Sequence, residues 1–193
     1  KVAILEKDNV GGVCLNRGCI PAKALLFSAE VYYLAKRAGD FGVLVDSPKP
    51  DLPAMTKRMD KIIEQLRKGT ELLLEQRGVT LYRATGALRS ANEILAHKQD
   101  GEQTLHADKL ILATGATPSI PPIPGADGNG VITSNQALWL PEIPDSLVII
   151  GGGSIGMEFG SFFSSVGSKV TIIEMLPHLL PPEDEEIMKE VAR

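Results

Sequence analysis

The chain is poor in the residues that mark several large classes of protein. Of its 193 residues, 2 are cysteine, 3 are histidine and 1 is tryptophan, too few cysteines for a disulfide-stapled scaffold. No apolar run reaches the roughly 18 residues of a membrane-spanning helix. The formal net charge is −4 and lysine and arginine are dispersed, so no basic surface for nucleic acid is expected. The sequence predicts neither a membrane span nor nucleic-acid binding.

The start of the chain and its cysteine usage bear on its compartment. The sequence opens directly on the strand-like segment KVAILE, with no leader pattern. We therefore expect a cytoplasmic location. In that compartment a pair of cysteines favours catalytic or sensing thiols over a structural disulfide.

Both cysteines, Cys14 and Cys19, lie in the segment GGVCLNRGCIPAK. In a regular helix they would be about 7.5 Å apart along the axis, beyond the distance of about 4.4 to 6.8 Å usual for bridged Cα atoms. A bridge needs a distorted turn, for which Gly18 supplies a permissive backbone. Pro21 suits the first position of a helix, which places Cys19 where the helix dipole favours a thiolate. The segment predicts a redox-active disulfide.

Inert burial and half of a zinc site are the alternatives for this cysteine pair. Structural zinc takes four ligands at close spacing, whereas His97, His106 and His178 are scattered along the chain. We therefore expect no metal site. Packing alone does not require the surrounding Gly-Gly, Gly and Pro-x-Lys residues, so the redox interpretation is favoured.

The hydrophobic pattern predicts an α/β chain. Parallel strands are expected at residues 1–5, 147–150 and 170–173, and a buried strand at 109–113. Helices are expected at 21–36, at 54–76 with an apolar core face, and at 154–166. Short strands at 79–84, 94–97 and 104–106 suggest a small antiparallel meander.

A glycine-rich motif lies between two of these strands. Gly151, Gly153 and Gly156 follow a strand and open a helix, and Glu174 ends the next strand. Ile155, in the first turn of this helix, is a further candidate contact to the nucleotide. In this context the motif predicts a dinucleotide site, because the glycines permit a tight turn, close approach of a pyrophosphate and close packing of helix on strand. Glu174 would bind the ribose hydroxyls and repel a 2′-phosphate, which favours NAD over NADP. A glycine-rich turn without a ligand is the alternative.

An internal repeat suggests a second domain of the same kind. KVAILE at residues 1–6 matches KVTIIE at residues 169–174, so Glu6 corresponds to Glu174. The glycine motif belonging to Glu6 would precede Lys1, and the second nucleotide fold needs at least one further strand beyond the chain. We expect two Rossmann-like dinucleotide-binding domains, both truncated, over residues 1–143 and 144–193.

The segments GGVCLNRGCIPAKALL, ATG after a strand, and GGGSIGMEFG occur in an order that resembles the flavoprotein disulfide oxidoreductases, the dihydrolipoamide dehydrogenases above all. The resemblance spans the chain. It implies FAD in the first domain, NAD in the second, and oxidation of dihydrolipoamide through the disulfide and the flavin. It also implies a homodimer acting on a lipoyl-bearing protein or a small dithiol or disulfide substrate.

The resemblance further implies roles for individual residues. Cys14 is the interchange thiol that attacks substrate sulfur, and Cys19 is the thiol nearer the flavin. Lys23 lies near flavin N5 and pairs with Glu158 beside the nicotinamide, since a buried ammonium needs a partner. A solvated helix position is the alternative for Glu158. The other implied FAD contacts are a carboxylate for the ribose and residues that approach the flavin or its phosphates: Glu6, Gly12, Val13, Gly86, Ala113, Thr114 and Gly115.

The chain also departs from this family. Val13 stands where threonine is usual, which removes one hydroxyl near the cofactor. The family's His and Glu pair from an interface domain is absent from the 193 residues, so no general base can be named and the chain alone is expected to be inactive. An NADPH-dependent mercuric or glutathione-type reductase and a non-catalytic folded module are the alternative functions.

Overall fold

A computed structural model of the protein describes residues 1–181 and 183–192. The chain forms two compact units of mixed helix and strand. Unit 1 comprises Lys1–Asn16 and Ile62–Thr117, and unit 2 comprises Arg17–Lys61 and Pro118–Arg193. The assignment of residues 1–143 to FAD and 144–193 to NAD stays a prediction, because it concerns cofactor binding and not compactness.

Unit 1 contains a short parallel sheet and an antiparallel meander. Strand β1 (Ala3–Leu5) pairs in parallel with β2 (Thr80–Tyr82), with Ile4 opposite Leu81. Helix α1 (Gly12–Arg17) follows β1 along the chain. The meander consists of β3 (Thr85–Ser90), β4 (Glu93–Lys98) and β5 (Gly101–His106), paired in that order.

The meander is present, but its first strand was not predicted, and the strand predicted at residues 79–84 is β2, which pairs in parallel with β1 and lies outside the meander. Strand β3 has the sequence TGALRS, in which glycine, serine and arginine mask the alternation typical of a strand. Its backbone pairs with β4 from Thr85 opposite His97 to Ser90 opposite Glu93. Tertiary pairing therefore makes a strand where the local sequence gives a weak signal.

The predicted buried strand at residues 109–113 is wrong. This segment has no regular secondary structure, and Ile111 and Leu112 are 91% and 66% exposed. A continuous apolar run is typical of a strand covered on both faces. In the described residues the parallel sheet of unit 1 has only β1 and β2, and residues 109–113 pair with neither of them.

Unit 2 contains a complete strand–helix–strand unit. Strands β6 (Ser146–Ile150) and β7 (Lys169–Ile173) pair in parallel with Ile149 opposite Ile172, and α5 (Ser154–Val166) connects them. The bounds of α5 are those predicted. The remaining helices of unit 2 are α2 (Cys19–Lys36), a 3-10 helix at Ala38–Phe41, α4 (Ser134–Ala137) and α6 (Glu185–Val191).

The core of unit 2 lies where α5 meets the sheet and α2. Phe162 and Phe163 are buried, with their rings edge to face at a centroid distance of 5.0 Å. Helix α2 packs against α5 and buries Leu25 and Ala29. The outer face of β6 remains exposed at Val148 and Ile150, so apolar packing is on the helical side of this sheet.

Helix α3 (Leu52–Gln76) begins two residues earlier than predicted. The Asp51 carboxylate accepts a hydrogen bond from the Ala54 N–H at 2.9 Å and so caps the first turn. The predicted core face is only partly correct. Met59 and Ile63 are buried, but Leu66 and Leu73 are 40% and 57% exposed, because charged side chains make the tertiary contacts in that half of the helix.

In residues 1–181 and 183–192, no helix combines the length and the apolar character that crossing a membrane requires.

Candidate functional site

The cysteine segment folds as two helices separated at Gly18. Cys14 lies within α1, and Cys19 is the first residue of α2. Gly18 is the N-cap of α2, with φ −131° and ψ −113°, so the predicted interruption of the helix at this glycine is present. Helix α2 begins two residues before Pro21, whose missing N–H is harmless in a first turn.

The predicted disulfide is absent from the structure. Cys14 and Cys19 are both exposed and neither forms a disulfide bond. The two residues lie on successive helices and not within one regular helix. The redox role of this cysteine pair stays a prediction.

Asn16, between the two cysteines in sequence, holds the loop that leads to Cys14. It is 6% exposed. Its Nδ2 donates to the backbone oxygen of Gly12 at 2.8 Å, of Val10 at 3.1 Å and of Asn9 at 3.4 Å. Our sequence interpretation missed this residue. The available signal was a polar residue placed between two candidate redox cysteines.

Arg67 and Glu71 stand four residues apart on α3 and complete this arrangement. The Nε of Arg67 donates to Oδ1 of Asn16 at 2.5 Å. Glu71 forms an ion pair with Arg83, whose guanidinium donates to the backbone oxygen of Asp8 at 2.7 Å. One face of α3 therefore holds both ends of the loop at residues 8–12.

The residues predicted to contact FAD lie around this loop in unit 1. The Glu6 carboxylate accepts from the Asp8 N–H at 2.8 Å. Gly115 has φ +78°, and a Cβ there would lie 3.8 Å from Val13. Ala113 and Thr114, which precede Gly115, are exposed.

Packing in unit 1 explains why a glycine occupies position 86. It lies in β3, and a Cβ at this position would approach Leu5 to 3.2 Å and Ile94 to 3.3 Å. An open cavity of about 850 Å³ borders the neighbours of Glu6 and Gly86, namely Lys7 and Thr85. Neither Glu6 nor Gly86 itself lines this cavity.

In unit 2, Lys23 and Glu158 join the cysteine helix to the helix of the glycine motif. Lys23 lies one turn after Cys19 on α2, Glu158 lies in the second turn of α5, and their side chains form an ion pair. The expectation that Lys23 is buried is wrong, since its side chain is 59% exposed and that of Glu158 is 33% exposed. The lysine reaches its partner from the surface of α2, because its long side chain carries the charge away from the helix.

The glycine motif has the geometry of a tight turn beneath a helix. Gly151 has φ +109°, and a Cβ on Gly156 would lie 2.1 Å from the Gly151 oxygen. A Cβ on Gly153 would have nothing within 4 Å. Gly153 is also the N-cap of α5 and provides no side-chain cap. The first turn of α5, with Ile155 61% exposed, is therefore open to an anion.

The Glu174 carboxylate closes this loop. Its Oε2 accepts from the Gly152 N–H at 2.7 Å, and its Oε1 accepts from the Leu176 N–H at 2.8 Å. The Leu176 and Gly152 N–H groups lower the pKa of this carboxyl from its ordinary value. Each carboxylate oxygen has a second lone pair, so the side chain can still accept from a hydroxyl group.

Among residues 1–181 and 183–192, no group of three or more His, Cys, Asp or Glu side chains could hold a metal ion.

Comparison with known proteins agrees with this arrangement. The pyridine nucleotide-disulphide oxidoreductase family model matches residues 1–193. The chain is 43% identical to a dihydrolipoyl dehydrogenase of Chlorobaculum parvum over 194 aligned residues, which cover all of this chain and 41% of the relative. A dihydrolipoyl dehydrogenase of Acholeplasma laidlawii is 42% identical and is covered to 58% of its length.

A solved structure shares the fold. The HOCl-induced flavoprotein disulfide reductase RclA from Escherichia coli has a TM-score of 0.81 and 32% identity, covering 99% of this chain and 40% of that protein. The chain thus spans about 40% of the length of several proteins it matches. The α/β fold class and the expected resemblance are confirmed. The chain belongs to the pyridine nucleotide-disulphide oxidoreductase family.

Proposed function

We propose that this protein carries out NAD-dependent oxidation of dihydrolipoamide, with Cys14 and Cys19 as its redox pair and FAD as its bound cofactor. The substrate is a lipoyl group on a protein or a small dithiol. The proposal includes a homodimer, as the family resemblance implies. It also includes a cytoplasmic location, because a reducing compartment suits a pair of catalytic thiols.

The ion pair between Lys23 and Glu158 is the observation that carries this proposal. It connects the helix that begins with Cys19 to the helix that begins at the nucleotide motif. Cys19 and Lys23 are one turn apart on α2, so a thiol and a cation lie on one side of this contact. On the other side, Glu158 is one turn from the glycine-rich end of α5. Electron transfer from the dithiol to the nicotinamide requires α2 and α5 to approach each other in this way.

The residues of unit 1 fit FAD. Gly12 has φ +66° and open space where a Cβ would stand, so its backbone permits close approach of a cofactor. Glu6 offers a carboxylate for ribose hydroxyls beside an open cavity. FAD, when bound, would supply two-electron chemistry between a dithiol and a nicotinamide. We assign its binding to residues Glu6, Gly12, Val13, Lys23, Gly86, Ala113, Thr114 and Gly115.

The residues of unit 2 fit NAD. The open space at Gly153 and the uncapped first turn of α5 suit a pyrophosphate. Glu174 suits two ribose hydroxyls and disfavours a 2′-phosphate by charge. The backbone N–H groups that lower its pKa keep the side chain ionised at neutral pH.

The thiol chemistry follows from exchange between sulfur atoms. With the pair oxidised, a substrate thiolate attacks Cys14 Sγ, which breaks the bond between Cys14 and Cys19 and releases Cys19 as a thiolate. The second substrate thiolate then attacks the substrate sulfur bound to Cys14, which closes the oxidised lipoyl ring and releases the Cys14 thiolate. Overall, dihydrolipoamide and NAD⁺ give lipoamide, NADH and one proton.

The direct test is steady-state turnover of the flavin-loaded full-length protein that contains this chain, with dihydrolipoamide and NAD⁺ as substrates. Turnover at least about tenfold more efficient with NAD⁺ than with NADP⁺ is expected. A strong preference for NADPH, with glutathione disulfide or mercuric ion as substrate, would contradict the proposal. After two-electron reduction we expect a long-wavelength absorption band that Cys19→Ser abolishes and Cys14→Ser retains.

A further inference from the structure

The position of α1 depends on a polar side chain and not on apolar packing. Of the six residues of α1, all within the described part of the chain, Asn16 is the one that is buried. Cys14 itself is exposed, as is Val13 at 42%. The hydrogen bonds of the buried Asn16 side chain are therefore contacts that can fix the helix bearing Cys14.

The loop before α1 needs such a contact. Gly11 and Gly12 have φ values of +105° and +66°, conformations that glycine adopts readily and also leaves readily. The Nδ2 group of Asn16 donates into this loop at Gly12 and Val10. Because the amide lies inside the turn, it selects one conformation of a flexible segment.

Arg67 fixes which end of the Asn16 amide faces the loop. The guanidinium donates to Oδ1 at 2.5 Å, and an arginine cannot accept a hydrogen bond. The amide oxygen must therefore face Arg67, and the NH₂ group must face the backbone oxygens. A single rotamer of Asn16 satisfies both sides.

We propose that Asn16, oriented by Arg67, is the positioning residue that holds Cys14 for sulfur exchange with the substrate. Asn16 touches neither substrate nor cofactor in this role, and it acts through the backbone of residues 10–12. The inference rests on the proposed function for the role of Cys14. It adds a residue on α3, distant in sequence from the cysteines, to the device that controls their reaction.

The positioning role of Asn16 predicts that its substitution lowers the activity with dihydrolipoamide and leaves a reaction that does not use Cys14 unchanged. Asn16→Asp keeps an oxygen for Arg67 but presents a carboxylate oxygen to the Gly12 and Val10 oxygens, which repel it. We expect NAD⁺ reduction by dihydrolipoamide to fall about tenfold to hundredfold, because misplacement of a reacting group by about 1 Å has effects of this size. Reduction of ferricyanide by NADH needs the flavin but not Cys14, and it should stay within about twofold of wild type.

Asn92 provides the matched control in the same unit. Its Nδ2 also donates to two backbone oxygens, those of Ala107 at 2.9 Å and Asp108 at 3.1 Å. Asn92→Asp should therefore disturb the meander by a similar change and leave both reactions near wild type. Arg67→Lys, which keeps the charge but moves the donor, should show a smaller loss confined to the dihydrolipoamide reaction.

The outcomes are separable when the flavin-loaded full-length protein is used for every variant. A wild-type protein without dihydrolipoamide activity would contradict the proposed function itself. An active wild type with Asn16→Asp unchanged would overturn the positioning role. Equal losses in both reactions would also overturn it, since they indicate general damage. If Asn16→Asp does not bind flavin, Arg67→Lys decides by the same two reactions.

Discussion

The backbone N–H of Gly152 donates to Oε2 of Glu174 over 2.7 Å, so the acid at the end of β7 closes the loop that follows β6. The other oxygen accepts from Leu176, two residues on, at 2.8 Å. Glu6 accepts from Asp8 at the same offset and the same 2.8 Å distance. The repeat KVAILE and KVTIIE therefore ends in the same turn at both positions. Glu174 therefore shapes the glycine-rich loop, in addition to the ribose contact proposed for it.

Glu174→Gln should weaken discrimination between the two coenzymes. The amide lacks the charge that repels a 2′-phosphate, and its NH₂ group must face a backbone N–H on one side. We expect the KM for NAD⁺ to rise about tenfold, because a charge-assisted hydrogen bond to the ribose is lost, and the preference over NADP⁺ to shrink. The measurement is kcat/KM with both coenzymes. Glu142→Gln, an equal charge change at an exposed position, should leave both values unchanged.

The same contact predicts a pH dependence of stability. Because the pKa of Glu174 is lowered in the folded protein, its contribution is full above the ordinary carboxyl pKa of about 4.3 and is lost as the pH falls through the lower folded value. The difference in Tm between wild type and Glu174→Gln, measured without coenzyme, should stay constant from about pH 7 to 5 and shrink below about 4.3. A difference that already shrinks near pH 6 would show that another group is responsible.

Substitution by alanine should lower stability at Gly156 and weaken coenzyme binding at Gly153. At Gly156 a Cβ would lie 2.1 Å from the Gly151 backbone oxygen, so Gly156→Ala forces α5 away from β6. We expect a loss of at least about 1 to 3 kcal/mol in the free energy of unfolding. At Gly153 the space is open and φ is −75°. Gly153→Ala should fold normally and raise only the KM for NAD⁺. Urea unfolding and coenzyme titration separate the two, and equal stability of both variants would contradict the packing role of Gly156.

The structural features that the sequence predicted correctly are those specified within one short stretch of chain. Helix α5, its glycine motif and Glu174 were correctly located, because the tight turn and the helix start are specified within one stretch of chain. The parallel pairing of β6 and β7 follows from the same short unit. The predicted roles of Cys14, Cys19 and the FAD-contacting residues stay predictions.

Features set by distant partners were not predictable. The apolar run at residues 109–113 carries a strand signal but finds no paired neighbour, and β3 carries a weak signal but pairs with β4. Helix α1 has six residues and depends on Asn16, whose orienting partner Arg67 lies 51 positions later. No periodicity in the sequence connects two such residues.

Glu158→Gln should separate the electrostatic role of the Lys23 pair from its structural role. The partners are 59% and 33% exposed, so water screens the pair and its effect on stability should be below about 1 kcal/mol. The Lys23 ammonium, on the same helix as Cys19, nevertheless favours negative charge nearby. Without the Glu158 carboxylate, the ammonium would take another position. We expect a Tm within about 3 °C of wild type and a fall in kcat of about tenfold or more.

Glu64→Gln removes a comparable ion pair with Lys68 on α3, whose side chains are 63% and 72% exposed, and should change neither quantity. A fall in Tm for Glu158→Gln with unchanged kcat would assign the pair to folding alone.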